Sequence, residues 1–211
     1  NMVDGVIVNS LNIGAEAYAE MGLSLVGIDC DLGEASVQIA SDSYSIGELA
    51  TRRLIDDGCS RILCLRSNSR MRMPANKRTD AYLDVVEQAG LSALVREVEF
   101  VKPDDEKGAV VAKILDENPD IDGIFAGDDT MAAICLKVMK QRGLSAPDDI
   151  KVVGADGARR TMTFMPDLTT VRQDIDRIGE LAAQSIIALI NGDNPKSNIK
   201  LPVELIEGKT A

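Results

Sequence analysis

Polar side chains stand at the ends of three runs in the second half of the sequence. Asp128 follows the apolar run Ile124-Phe125-Ala126 and a glycine, Asp156 comes shortly after Val152-Val153, and Gln173 ends a third run. Short apolar runs that stop at a glycine and an acid are typical of buried parallel strands, and ligands of open α/β sheets bind beyond the carboxyl ends of such strands. We therefore expect these side chains to point towards one cleft, where their carboxylates and amide supply hydrogen bonds to a ligand.

The sequence lacks the residue patterns that catalysis usually needs. It contains no histidine, no glycine-rich phosphate loop with a lysine and no serine at a nucleophile elbow. The neighbouring acids Asp128 and Asp129 are not a catalytic pair, because adjacent residues at a helix start do not face each other. No Cys-x-x-Cys pair is present, so zinc or haem ligation is not expected. We predict a binding protein that is not an enzyme and that holds no metal and no cofactor.

Net charge limits the partners of this chain. The formal charge is −11 and the sequence pI is about 4.5, whereas DNA affinity comes mainly from lysines and arginines that neutralise phosphates. Direct binding to DNA or to an anionic membrane is therefore not expected, and no apolar run approaches the ~20 residues of a membrane helix. The scattered cysteines favour free thiols in a reducing compartment, so we predict a cytoplasmic location.

The elements that must position these residues alternate between predicted strands and predicted helices. This alternation is typical of an α/β fold. A glycine follows several of the predicted helices, as is common at helix ends. The main predicted elements are strands Val3–Val8, Val37–Ser41 and Arg61–Leu65, helices Ala15–Met21, Ala75–Ala89 and Asp174–Asn191, and a final strand Leu201–Ile206.

Four segments in the second half of the chain carry a resemblance to a known family. Their residues and their order resemble the effector-binding core of lactose-repressor-type (LacI family) transcription regulators, whose fold is shared with periplasmic sugar-binding proteins. The resemblance covers essentially all 211 residues. The segments are Phe125–Ala132, Gly143–Ile150, Val152–Asp156 and Pro166–Gln173.

The resemblance implies an α/β fold of two doubly wound parallel-sheet lobes joined by three crossovers, as in type I periplasmic binding proteins. The N-terminal lobe would comprise residues 1–41 and 174–198, and the C-terminal lobe residues 42–173 and 199–211. In the family, further strands of the first lobe and a DNA-reading headpiece precede the point that matches the start of this chain. We therefore expect an incomplete first lobe, and DNA contact only through a headpiece outside this chain.

The resemblance also implies ligand contacts. Arg78 matches an arginine at the start of a helix, although the motif departs from the family at Ala81, where a glycine is usual. Asp128 stands where the family usually has an asparagine that bonds a sugar hydroxyl. Asp156 matches the acid that follows a buried Val-Val-Gly strand, and Gln173 matches the glutamine of a crossover strand. These four residues are expected to bind the ligand.

Plainer roles exist for the same residues. Arg78 could pair with Asp80 or Asp84 on its own helix, Asp156 could bond its own turn, and Gln173 could bond neighbouring backbone. Motif and position together favour the ligand role for the arginine and the acid.

Two further assignments concern an acid pair and an aromatic residue. Both Asp128 and Asp129 could cap the helix that begins there, and we predict that Asp129 caps it while Asp128 reaches the ligand. Tyr44 is the best candidate for an aromatic ring that stacks on a sugar, and a packed or surface tyrosine explains it equally well.

The residue types also bear on the ligand. Carboxylates with one arginine suit an uncharged, polyhydroxylated small molecule such as a sugar. The basic loop offers an alternative, because Arg66, Arg70 and Arg72 could hold a phosphate or a carboxylate.

The family resemblance also bears on assembly and function. Met162, Phe164 and Met165 have no obvious core role, and the resemblance places the matching segment at a dimer interface, so a homodimer is expected. The predicted function is the effector-binding domain of a transcription regulator. The alternative is a periplasmic sugar-binding protein of a transport system, which the free thiols and the crossover segment ending at Gln173 disfavour.

Overall fold

A computed structural model describes residues 3–9, 22–30, 32, 36–67, 74–99 and 101–211. The predicted helix Ala15–Met21 and the basic-loop residues Arg70 and Arg72 lie outside these ranges. No helix within the described ranges has the length and apolar character that crossing a bilayer requires.

The described elements alternate between strands and helices along most of the chain, as the α/β prediction requires. The strand Val37–Ser41 has its predicted bounds, and helix Lys77–Gln88 begins after a short 3-10 turn at Pro74–Asn76. In chain order, the elements are β1 (Gly5–Val8), β2 (Ser24–Ile28), β3 (Val37–Ser41), α1 (Ser43–Asp56), β4 (Ile62–Ser67), α2 (Lys77–Gln88), β5 (Leu94–Val98), α3 (Asp104–Glu117), β6 (Gly123–Ala126), α4 (Asp129–Gln141), β7 (Lys151–Asp156), α5 (Arg159–Phe164), β8 (Thr169–Gln173), α6 (Ile175–Ile190), β9 (Asn198–Leu201) and β10 (Val203–Ile206).

The chain divides into two compact units. The first contains Asn1–Ser43, Met71–Ala75 and Asp174–Pro202, and the second contains Tyr44–Arg70, Asn76–Gln173 and Val203–Ala211. The last change of unit therefore follows Pro202, later than the expected boundary after residue 198, because β9 pairs in parallel with β3 of the first unit.

The first unit contains a parallel sheet in the order β1-β2-β3-β9. Helix α6 packs against β1, β2 and β3. The apolar face of α6 is provided by residues three to four positions apart, the spacing that places side chains on one side of a helix. The buried cluster between helix and sheet comprises Val26, Val37, Ile39, Ile178 and Ala182.

The second unit contains a six-stranded sheet in the order β10-β8-β7-β6-β4-β5. Every pairing in it is parallel except that of β10, which runs antiparallel to β8. Alternate residues of the central strands enter two separate cores, since successive side chains of a strand point to opposite faces. Ile124 and Val152 pack with α3 and α4, whereas Phe125 and Val153 pack with α1 and α2. The doubly wound α/β fold predicted from the sequence is therefore confirmed.

The predicted final strand Leu201–Ile206 is wrong as a single element. The structure divides it at Pro202, which belongs to neither β9 nor β10. Proline has no backbone N–H to donate to a ladder, so it stands where pairing changes. Residues before it pair with β3, and residues after it pair with β8, in a different sheet.

Three neighbouring strands of the second unit end at one edge of the sheet. Strands β6, β7 and β8 lie side by side and run in parallel, so their carboxyl ends meet there. Asp128, Asp156 and Gln173 are located at or just beyond these ends. At the far side of the same sheet, β5 forms an edge and exposes Arg96 and Glu97.

Helix α2, which carries Arg78, is seated directly on helix α1. A Cβ atom added to Gly47 of α1 would lie 2.0 Å from the carbonyl oxygen of Arg78. Only glycine permits this approach of backbone to side-chain position. Gly47 of α1 thereby allows the backbone of Arg78 to lie close against α1.

Candidate functional site

The structure joins three of the predicted site residues through hydrogen bonds. Gln173 donates from Nε2 to Oδ1 of Asp156 over 2.5 Å, and the same oxygen lies 3.3 Å from Nη2 of Arg78. Arg78 also donates from Nη1 to the carbonyl oxygen of Gly127 over 2.5 Å. Residues from α2, the end of β7, the end of β8 and the loop after β6 thus meet, and we call Arg78, Asp156 and Gln173 the site cluster.

Arg78 is turned into the protein. Its side chain is 13% exposed, and its Nε is buried without a hydrogen-bond partner among the described residues. The acids of its own helix are engaged elsewhere, because Asp80 pairs with Lys77 at 2.9 Å and Asp84 accepts from Tyr44 at 2.8 Å. The surface pairing considered for Arg78 is therefore absent, and one of its donors points at no protein acceptor that the structure describes.

Asp156 has an unusual backbone conformation. Its φ is 119°, a region that residues with a side chain seldom adopt, and Gly157 follows with φ 57°. A Cβ on Gly157 would lie 2.8 Å from Cα of Arg172, so glycine is required there. The backbone turns sharply at the end of β7 and directs the Asp156 carboxyl towards Arg78 and Gln173.

Burial raises the pKa of the Asp156 carboxyl to about 6. The Arg78 guanidinium opposes this shift, the charges of Asp128 and Asp129 add to it, and the hydrogen bond from Gln173 opposes it. The carboxyl group therefore changes protonation within a pH range that many proteins experience. Above that pKa it acts only as an acceptor, and below it one oxygen carries a proton that can be donated.

The structure gives the helix cap to Asp128 rather than to Asp129. Asp128 is the N-cap of α4, because its Oδ1 accepts from the backbone N–H of Met131 over 2.8 Å. Asp129 is 2% exposed and accepts hydrogen bonds from Gly157 and Thr170. The cap prediction for Asp129 is wrong because its carboxyl faces inward to β7 and β8, where these partners lie. The capping bond uses one oxygen of Asp128, so its other oxygen can still meet a ligand.

The hydrogen bond that Tyr44 donates goes to a residue outside the site cluster. Its hydroxyl donates to Oδ2 of Asp84 over 2.8 Å at an exposed position, and this bond raises the pKa of the tyrosine. Arg66, which was expected in the basic loop, belongs to β4 and forms an ion pair with Glu97 of β5. One of the arginines considered for an anionic ligand is thus already neutralised.

Other contacts at this edge escape a reading of the sequence alone. The Gly127 carbonyl, the Gly157 amide and the Thr170 hydroxyl all belong to the site or its support. A signal for Asp129 does exist, because Gly154 of the Val-Val-Gly run leaves the space that its carboxyl fills. Within the described ranges, no group of three or more acidic, cysteine or histidine side chains is arranged to hold a metal ion.

The chain was compared with known proteins. The family described as a periplasmic binding protein-like domain matches residues 51–211. Among curated proteins, the sucrose operon repressor of Pediococcus pentosaceus is 32% identical over 100% of this chain and 65% of its own length. The sucrose operon repressor of Lactococcus lactis subsp. lactis is 33% identical over 99% of this chain and 64% of its own length. The chain thus spans about two thirds of the length of these relatives.

The structural comparison gives the same family. The transcriptional regulator CelR in complex with cellobiose superposes with a TM-score of 0.87 at 27% identity, covering 99% of this chain and 66% of the regulator. This confirms the resemblance drawn from the four sequence segments. The chain belongs to the periplasmic binding protein-like domain family, as a domain of the effector-binding type found in lactose-repressor-type transcription regulators.

Proposed function

We propose that this domain binds a neutral, hydroxyl-rich small molecule of the sugar class at the site cluster. We further propose that binding regulates DNA attachment through a headpiece elsewhere in the protein. The observation that carries the proposal is the hydrogen-bonded convergence of Arg78, Asp156 and Gln173 at the carboxyl ends of parallel strands. Ligands of α/β sheets bind at this position.

The free hydrogen-bonding groups at the site suit vicinal hydroxyls. Both bonds that Asp156 makes within the cluster use Oδ1, so Oδ2 can accept from a ligand hydroxyl. The Nε of Arg78 is a buried donor in need of an acceptor, which costs free energy until a ligand oxygen satisfies it. A carboxylate acceptor beside a guanidinium donor matches a hydroxyl and a neighbouring hydroxyl or ring oxygen.

Charge favours a neutral ligand over an anionic one. Among the described residues, Asp128, Asp129 and Asp156 act on one another electrostatically beside the guanidinium of Arg78. A phosphate or carboxylate brought to this edge would meet net negative charge, whereas an uncharged sugar would not. The ion pair of Arg66 with Glu97 removes one cation that could have reversed this preference.

The relatives support both the ligand class and the regulatory role. Two of them are named as sucrose operon repressors, and a structural neighbour is a regulator in complex with cellobiose. The domain's own net charge of −11 makes it unsuited to hold DNA, so DNA contact is assigned to a separate headpiece. The proposed role is non-catalytic and cytoplasmic, and the repressor relatives favour it over sugar transport.

Titration calorimetry against sucrose, D-ribose, cellobiose and glucose 6-phosphate tests the ligand proposal. Saturable binding of a neutral sugar is expected, with a roughly tenfold or greater loss of affinity in Arg78→Ala and Asp156→Ala because each removes a charge-assisted hydrogen bond. Lys77→Ala is the matched control, since Lys77 is exposed and its ammonium pairs with Asp80 rather than with a residue of the site cluster. Unchanged affinity in both site variants, or preference for the phosphate, would refute the proposed site.

We also propose that the domain forms a homodimer through the region of α5. Phe164 is 76% exposed, and Met162 and Met165 lie beside it in the chain. An exposed phenylalanine between methionines is suited to burial against a second copy. Analytical ultracentrifugation should show a dimer that Phe164→Asp dissociates. A monomer at high concentration, or a dimer indifferent to this change, would contradict the proposal.

A further inference from the structure

We propose that Asp129 is the positioning residue of this site: its buried carboxylate connects the turn after β7 to Thr170 of β8 and so fixes the orientation of Asp156. The consequence for affinity rests on the proposed sugar-binding function. The structural tie itself does not, and it can be tested without a ligand.

The carboxylate of Asp129 accepts one hydrogen bond from the turn after β7 and one from a residue of β8. Its Oδ2 accepts from the backbone N–H of Gly157 over 2.8 Å, and its Oδ1 accepts from Oγ1 of Thr170 over 2.6 Å. Asp129 is 2% exposed and Thr170 is fully buried at 0%. A buried carboxylate is costly unless it is hydrogen-bonded, so these contacts are strongly preferred over any rearranged state.

The neighbouring strand is shaped to receive this carboxylate. A Cβ added to Gly154 of β7 would lie 2.5 Å from Oδ1 of Asp129, closer than real atoms approach. A glycine at this strand position therefore creates the space for the acid. Asp128 meanwhile caps α4 through Met131, which fixes the helix turn that carries Asp129. The two adjacent acids thus have separate roles: Asp128 caps α4, and Asp129 connects the turn after β7 to β8.

The tie acts at the residue where the backbone is strained. Asp156 at φ 119° is immediately followed by Gly157, whose N–H is the group that Asp129 holds. A residue with a side chain keeps such a conformation only when its surroundings over-determine it. Asp129 supplies one such constraint on the backbone, while Arg78 and Gln173 act on the carboxyl end of the side chain.

Asp129 also acts on Asp156 through its charge. The charged groups that act on the Asp156 carboxyl are Arg78, Asp128 and Asp129, while Arg172 on the neighbouring strand is paired with an acid of β10. The charge of Asp129 raises the pKa of Asp156, although burial is the largest cause. Removing that charge therefore lowers the pKa of Asp156, which a purely structural substitution elsewhere in the core would leave unchanged.

The test compares Asp129→Asn and Thr170→Val with the matched control Thr169→Val. Thr169 is the adjacent residue of β8, is buried at 0%, and loses its hydroxyl bonds to the segment Gly208–Ala211 in the same substitution. NMR would follow the Gly157 amide proton and the pH titration of the Asp156 carboxyl carbon in the ligand-free 211-residue chain. Calorimetry would follow affinity for sucrose, D-ribose and cellobiose.

In Asp129→Asn, the Gly157 amide proton should move upfield and the Asp156 titration should move below pH 6. Affinity for whichever sugar the unsubstituted chain binds should fall roughly tenfold in both Asp129→Asn and Thr170→Val, as expected for loss of a hydrogen bond to a charged group. Thr169→Val should change none of the three readouts.

An unchanged Gly157 amide and an unchanged Asp156 titration in Asp129→Asn would overturn the inference, whatever the sugar result. Equal effects of Thr169→Val and Thr170→Val on sugar affinity would also overturn it, because general loss of a buried hydroxyl would then explain the data. Absence of sugar binding with the two NMR changes present would instead refute the proposed function and leave the tie intact.

Discussion

Raising the pH from 4 to 7 is expected to destabilise this protein through Asp156. The pKa of this carboxyl in the folded state is about 6, because burial disfavours its charged form, and in an unfolded chain it is about 3.9. Between these values the folded state binds more protons than the unfolded state, so the free energy of unfolding falls as pH rises. The destabilisation caused by Asp156 is absent below about pH 4 and is nearly complete above about pH 6.

The size of the effect follows from the shift and the exposure. A shift of about two units at 1.36 kcal/mol per unit sets an upper bound of ~3 kcal/mol. The Asp156 side chain is 33% exposed, and solvent screening at such a position reduces the expected effect to roughly 1 kcal/mol.

Urea unfolding of the original chain and of Asp156→Asn across pH 4 to 7.5 isolates this contribution from the other acids. The variant should gain roughly 1 kcal/mol relative to the original chain over this range, because it carries no carboxyl to ionise. Asp149→Asn is a control of opposite sign. Hydrogen bonds from the Ser145 amide and hydroxyl lower the pKa of Asp149. The free energy of unfolding of Asp149→Asn should therefore fall relative to that of the original chain as pH rises. A flat or falling difference for Asp156→Asn would refute the reasoning.

The other predictions concern ligand binding by Arg78 and the packing and hydrogen bonds of the core. Arg78→Lys should weaken sugar binding roughly tenfold in calorimetry, because an ammonium cannot reproduce the guanidinium fork that reaches Asp156 and a backbone carbonyl together. Gly47→Ala should lower stability by roughly 1–3 kcal/mol in urea unfolding through overpacking, because its Cβ would lie 2.0 Å from the Arg78 carbonyl oxygen. Gly108→Ala in another helix is the matched control: its nearest neighbour atom would be 3.6 Å away, and it should be neutral or stabilising by up to ~1 kcal/mol; equal losses in both variants would contradict the overpacking argument. Tyr82→Phe should cost roughly 1–3 kcal/mol in the same assay, because the buried hydroxyl serves one backbone carbonyl and one backbone amide; a neutral result would contradict that role.

Local patterns in the sequence carry much of this structure. The apolar runs that end in glycine and acid predict the buried strands β6 and β7, and parallel pairing then places their carboxyl ends together. Because β8 also pairs with β7 in parallel, the same reasoning predicts from the sequence that Asp156 and Gln173 lie at one edge. The ligand role of the site cluster stays a prediction that the proposed titrations test.

Features decided by distant partners could not be predicted in the same way. Either Asp128 or Asp129 is a suitable cap by residue type, and the outcome depends on the Gly157 amide and the Thr170 hydroxyl, which come from other strands. The alternation of Leu201–Ile206 likewise fits one strand, and only pairing with two different sheets reveals the break at Pro202. Hydrophobic periodicity describes a segment and its burial, whereas these outcomes depend on which segment lies opposite.

The exposed edge strand β5 bears on aggregation. An unpaired strand is a template onto which a foreign strand can add, and charged side chains along it make such addition unfavourable. On β5, Arg96 donates to the carbonyl oxygen of Val95 over 2.9 Å, and Glu97 pairs with Arg66. An incoming strand would have to strip water from these charges and displace the arginine. Concentrated solutions of the protein should therefore resist fibril-like stacking at this edge, and replacing Arg96 and Glu97 by uncharged residues should weaken that resistance.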